Sequence, residues 1–221
     1  GKDVEAMAGG RIKPTDADKA HIIAIYDSNV SYQDALVTKL LAKLAELNVT
    51  ADRQGFADLT RGHDSAEHLA EAITQRSKDR QRAPDDWLWC ALTVLWERWQ
   101  PDRPSFEMLD DRMQEGYRLS GEGNAIAASE VWLEPWRGFA RICDEHHLTS
   151  IEGLDERFAG TQSVYNWVQD FELELWNAGV QDARYHRERI ALSRDVIARF
   201  HDLDSLTTSN FRVAVAESLA E

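Results

Sequence analysis

The 221-residue sequence predicts an all-α protein, built of antiparallel helical hairpins behind an N-terminal helical unit. Three observations carry this. Apolar residues recur at three- and four-residue spacing, which is the period of one helix face. Glycine, proline and capping residues punctuate the ends of those runs. All eight tryptophans fall in the second part of the chain, most of them inside such runs.

Residues 1–14 contain Gly9, Gly10 and Pro14 with little periodicity, and read as a mobile lead-in. Thr15 and Asp16 are suited to cap a helix reaching about Tyr26. The centre of that segment, from Ile22 to Tyr26, fits a buried strand equally well. As a strand followed by a helix it would resemble the opening βα unit of a TIR domain. The further strands of such a sheet do not appear before residue 84. Ser31 to Asp34 has the form of a capping box, and Leu36, Val37, Leu40, Leu41, Leu44 and Leu47 then mark one helix face. Asp64 to Glu67 starts the next capped helix, with Ala66, Leu69, Ala70 and Ile73 directed inward.

Pro84, Asp85 and Asp86 signal a new start, because acidic side chains favour a helix N-terminus. From Trp87 to Trp99 the segment is apolar nearly all round, which predicts a helix covered on two sides. Pro101 and Pro104 end it. Ser105 opens a helix carrying Leu109, Met113 and Tyr117, and Gly121 to Gly123 form a turn. The partner helix holds Val131 and Trp132 and reaches Pro135 or continues to Cys143. The stretch between Gly153 and Gly160 reads as irregular. A helix from Ser163 to Asn177 follows, with Gly179 as a left-handed cap. The last two helices span Ala183 to Phe200 and Ser205 to Ala220.

Composition divides the chain. Residues 1–83 carry all six lysines, with twelve basic against thirteen acidic side chains. Residues 84–221 carry no lysine, thirteen arginines and twenty-six acids. The expected organisation is a lead-in over 1–14, a helical unit over 15–83 and a helical array over 84–221. The net charge of −14 repels a phosphate backbone, so binding of nucleic acid by the whole surface is disfavoured. No apolar run reaches the ~20 residues that cross a bilayer, and no signal peptide is visible, which points to a cytoplasmic protein without a membrane partner. Cys90 and Cys143 lie in apolar helical contexts and read as buried free thiols.

Gly123, Ala128 and Trp132, spaced by five and four, are similar to the second half of a tetratricopeptide repeat. In that repeat the small residues let two helices approach and the aromatic plugs the next hairpin. The six-residue step from Tyr117 to Gly123 departs from the usual four. The tail from Arg189 through Phe200, Asn210 and Val213 to Leu219 resembles a second such hairpin. Together these cover residues 105–143 and 183–221. The segments Trp96 to Trp99, Gly116-Tyr117 and Trp167 to Gly179 also look like the helical region of uncharacterised bacterial proteins that end in a SEC-C zinc motif. The cysteines of that motif are missing here. The resemblance implies a right-handed helical platform without a known activity.

Phosphate loops, nucleophile elbows and paired-histidine zinc helices are not found in the sequence. Asp170 and Glu174, one turn apart, read as a solvated acidic face, as do Glu107, Asp110 and Asp111. Cys143, His146 and His147 have a zinc-like spacing, but no second pair follows, so they read as a helix end. Neither a catalytic residue, a metal site nor a cofactor is expected.

The expected function is a non-catalytic scaffold or adaptor that binds a protein or peptide, such as a subunit of a bacterial assembly. Its groove would be formed by Trp132, Trp136, Tyr165 and Trp167, flanked by Arg137, Arg141, Arg187 and Arg189. Two alternatives remain open at this level. One is a nucleic-acid-associated regulator with a helix-turn-helix-like unit over 15–83. The other is a metal-dependent enzyme using the acidic helix faces.

Overall fold

In a computed structural model, residues 52–76 and 86–221 are described, together with single helical positions at Thr38, Leu41, Ala42 and Ala45. Most of the Ser31–Leu47 run and all of the His21–Tyr26 segment lie outside the described residues. The chain divides into two compact units, Gly1–Phe56 and Ala57–Glu221. The second unit begins well before the compositional break at residue 84.

Among the described residues the protein is all-helical and contains no strand. The helices are α1 (Arg53–Leu59), α2 (Ala66–Arg76), α3 (Asp86–Trp99), α4 (Phe106–Gly121), α5 (Ala125–His146), α6 (Ile151–Phe158), α7 (Val164–Gly179), α8 (Arg184–Arg199) and α9 (Ser205–Ala220). Helix α2 packs on α3. From there each long helix packs on its neighbour in the order α4, α5, α7, α8, α9, and the short α6 packs beside α7.

The α4–α5 hairpin shows why this sequence makes a close pair. A Cβ on Gly116 of α4 would lie 2.0 Å from the Trp132 indole of α5, and one on Gly138 of α5 would lie 2.6 Å from Leu109 of α4. Each helix thus gives up one side chain where the other presents a large one. The Trp132 Nε1–H donates to the Met113 carbonyl at 2.9 Å, which satisfies the polar edge of a ring with no exposed surface. On its far side Trp132 meets Trp167 and Phe171 of α7 edge-on, at centroid distances of 6.1 and 5.9 Å. Phe139 extends the same layer to Trp167 and Phe158.

Several expected features are corrected. The stretch from Gly153 to Gly160 is not irregular, because most of it forms α6. Asp202, about fifty residues later, accepts hydrogen bonds from the Ile151 and Glu152 amides, while Ser150 caps Gly153. Gly179 is not a left-handed cap. It ends α7 where a Cβ would strike the His186 ring at 2.5 Å. The left-handed caps are His147 and Ala159. Helix α3 is not sealed all round, since Trp89 and Val94 are exposed, and Cys90 is exposed rather than buried. The inward set of α2, namely Ala66, Leu69, Ala70 and Ile73, is buried as the spacing predicts.

Candidate interaction surface

Helix α9 closes the described array at one edge. Asp204 caps it, accepting from the Leu206 and Thr207 amides at 2.8 and 2.9 Å and from the Tyr165 hydroxyl at 2.8 Å. These hydrogen bonds hold the Asp204 carboxyl well below the usual aspartate range, with the Thr207 hydroxyl contributing most. The inward face of α9 carries Thr207, Phe211, Ala214 and Ser218, all buried. Beneath it lies Arg189 of α8. Its guanidinium donates to Glu172, to Glu217 at 3.1 Å, to Ser218 Oγ at 3.1 Å and to the Ala214 carbonyl, and it stacks on the Trp176 ring at 4.6 Å. A planar, five-donor cation is well suited to this task.

The outward face of α9 is apolar. Leu206, Val213 and Leu219 are 69, 53 and 64% exposed, and Ser209, Ala216 and Ala220 lie exposed between them. Here the face is neither polar nor covered within the described residues.

The residues expected to form an aromatic groove are not brought together at a surface. Trp132 and Trp167 expose nothing and Trp136 is buried. Tyr165 is half-buried and bonded to Asp204 and Thr207. Arg189 is buried in the network just described. Arg141 is half-buried, pairing with Glu145 at 3.0 Å and donating to the Pro104 carbonyl. Only Arg137 and Arg187 are exposed. A helical spacing of aromatics cannot distinguish a sealed layer from an open one, because both put rings on one face. The exposed face of α9 is not singled out by the sequence reading, because apolar and small residues at helical spacing do not by themselves say which face is covered. The signal that could have found it is the lack of a charged stripe along residues 205–220, whose only ionisable side chains are Arg212 and Glu217.

The acidic sets divide between solvent and structural contacts. Asp170 and Asp111 are exposed as expected, Asp170 accepting from the Tyr117 hydroxyl at 2.7 Å, while Glu174 is buried and accepts from Ser120 and from Asn177 at 3.0 Å, so it ties α4 to α7 rather than lying on a solvated face. Glu107 reaches the N-terminus of α2, accepting from the Ala66 and Glu67 amides and from Ser65. Burial pulls its carboxyl upward, but the two amides and further hydrogen bonds outweigh this and leave it below the usual glutamate value. Asp110 holds Thr161 through its amide and its hydroxyl.

The ligand atoms of Asp64, Glu145 and His146 come within 4.8 Å of one another, the one such group among the described residues. A divalent cation there would face three guanidinium groups. Arg157 lies 2.8 Å from Asp64, and Arg103 and Arg141 lie 2.9 and 3.0 Å from Glu145. Both carboxylates are therefore neutralised already, and the cluster acts as an ion-pair hub that fixes the loop over 60–65 to α5 and α6. Cys143 lines a cavity of about 470 Å³ with His147, Asp195, Arg199 and His201. Burial pushes its thiol up to about 11, so at neutral pH it is not a thiolate nucleophile. A second cavity, of about 460 Å³, is lined by Glu152, Asp155, Glu156, Asp202 and Asp204. Asp155, Asp202 and Asp204 each accept backbone amides there.

Of the basic residues in the segment 15–83, which a nucleic-acid-associated unit would use against phosphate, Arg61 pairs with Asp58 at 2.7 Å, while Lys78, Arg80 and Arg82 lie outside the described residues. No described helix is long and apolar enough to cross a membrane. No family model matches the chain, and neither a curated protein nor a solved structure is similar enough to count as a match.

Proposed function

We propose that this chain is a protein-binding helical scaffold whose binding surface is the outward face of α9. The observation that supports this is the exposure of Leu206, Val213 and Leu219 on α9, with no helix among the described residues covering them. Removing such a row from water favours association at roughly 25 cal/mol per Å² of apolar surface, before the costs of ordering are subtracted. Arg189 holds α9 from beneath, so the face is presented by a fixed element. The degenerate tetratricopeptide resemblance of the α4–α5 and α8–α9 regions supports the same reading, since stacked hairpins of that kind serve as platforms.

Affinity capture with the full chain tests it. The wild type should retain a defined protein that a Val213→Asp, Leu219→Asp variant does not retain, with unchanged helicity and melting temperature in that variant. Equal recovery by both proteins, or specific turnover of a small substrate by the purified chain, would overturn the proposal.

A further inference from the structure

The outward face of α9 carries a pattern that selects one occupant. In a seven-residue repeat lettered a to g, with Val213 at a, Leu206 and Ala220 also fall at a, and Ser209 and Ala216 fall at d. All five are exposed. They form one continuous seam along the helix, and its small members permit close approach of a second backbone. The two charged residues of the helix flank this seam. Arg212 falls at g and Glu217 at e, five residues later.

That offset decides the orientation. When two helices run parallel, a g side chain of one meets the e side chain five residues further along the other, and such pairs set partner choice. Two parallel copies of α9 therefore bring each Arg212 onto the other copy's Glu217. An antiparallel pair matches g with g and e with e, which sets arginine toward arginine and glutamate toward glutamate. Both residues have capacity for the contact. Arg212 is exposed and has no ion pair among the described residues. Glu217 uses Oε2 for Arg189 and accepts nothing at Oε1 among the described residues.

We infer that the partner of the α9 face is a second copy of this chain, joined as a parallel two-fold pair along α9 with Arg212 of each copy on Glu217 of the other. This rests on the reading of that face as a binding surface and names its occupant. The seam is only two repeats long with mostly small residues, so the dimer belongs to the reversible, micromolar class.

The test uses the full chain with Cys90→Ser, which removes the exposed thiol. On a parallel two-fold axis residue 213 meets its own counterpart. Val213→Cys should therefore give a covalent dimer under mild oxidation. Val180→Cys, at a position 73% exposed in the turn that follows α7, should stay at background. Sedimentation from about 1 to about 200 µM should show a concentration-dependent dimer. Arg212→Glu, which sets two carboxylates together at both contacts, should weaken it about tenfold without lowering the melting temperature. A chain monomeric throughout this range, or cross-linking no greater at residue 213 than at residue 180, overturns the inference. If the capture experiment meanwhile recovers a different protein that depends on Val213, the binding face survives and only its occupant was wrong.

Discussion

The layer between α5 and α7 and the contact between α8 and α9 are both helix pairs with apolar inner faces, yet they are held by different chemistry. Between α5 and α7 the contacts are rings: Trp132, Phe139, Trp167 and Phe171 touch in edge-on and stacked pairs, and helices cover both sides. Between α8 and α9 the centre of the contact is a buried cation, and among the described residues no helix covers the far side of α9. The first arrangement is sealed by shape. The second depends on Glu172 and Glu217 remaining charged beside Arg189. Apolar content alone does not separate the two regions; what differs is whether a further helix stands on the other side.

The sharpest way to break the comparison is to remove one element from each region. Trp132→Ala opens a void in a layer sealed on both faces and strips the ring contacts to Trp167 and Phe171. A loss of about 3–5 kcal/mol is expected from denaturant unfolding. A loss below about 1 kcal/mol would mean that the layer relaxes around the void and is not the rigid centre described here. Arg189→Met leaves the Glu172 carboxylate buried without its cation. Breaking a buried pair in this way costs up to about 3–5 kcal/mol, less where solvent reaches Glu217. The pH dependence separates this loss from simple packing. Burial already raises the Glu172 carboxyl above its usual value, with Arg189 opposing, so without Arg189 it rises further. A carboxyl raised in the folded state favours folding in acid, where it is neutral, and opposes folding as pH climbs through its folded value. The deficit of Arg189→Met relative to wild type should therefore shrink as pH falls from 7 toward 5. A pH-independent deficit would place the defect in packing.

Much of the fold was legible in the sequence because periodicity and punctuation are local. Pro101 and Pro104 end α3, Asn124 caps α5 through the Ala127 amide, and Ser163 caps α7 through the Asn166 amide, all within a few residues. What escaped was decided at long range. Helix α6 lies between two glycines, and beside its local Ser150 cap it draws on a carboxylate from distant Asp202, while Gly179 resembles a terminator because nothing nearby announces the His186 ring it accommodates. The candidate surface escaped for a related reason. Trp132 and Val213 sit on equally apolar helix faces, and only the neighbour count of their helices decides that one is core and the other surface. Arginine misled in the same way: Arg189 and Arg187 are two residues apart, yet one lies buried under α9 and the other faces solvent.

The smallest expected effects concern a device outside the two regions compared, a carboxylate sent across to cap a distant helix. Glu107 of α4 receives the Ala66 and Glu67 amides of α2, and Asp202, beyond α8, receives those of Ile151 and Glu152 in α6. Replacing the accepting carboxylate of a helix cap costs about 0.5–2 kcal/mol, so Glu107→Gln and Asp202→Asn should each lose about 1 kcal/mol at neutral pH. Both carboxyls are held below their ordinary values although burial opposes this in each case, because the amides favour the charged form. Their contribution is present above the unfolded-state pKa, about 4 to 4.5, and is lost as pH falls through the lower folded value. Melting curves of each variant and the wild type should therefore converge in acid. They should do so for Glu107 and Asp202 alike, since the same chemistry acts at the N-termini of α2 and α6. Convergence for one residue only would show that the other carboxylate serves its region through packing rather than charge.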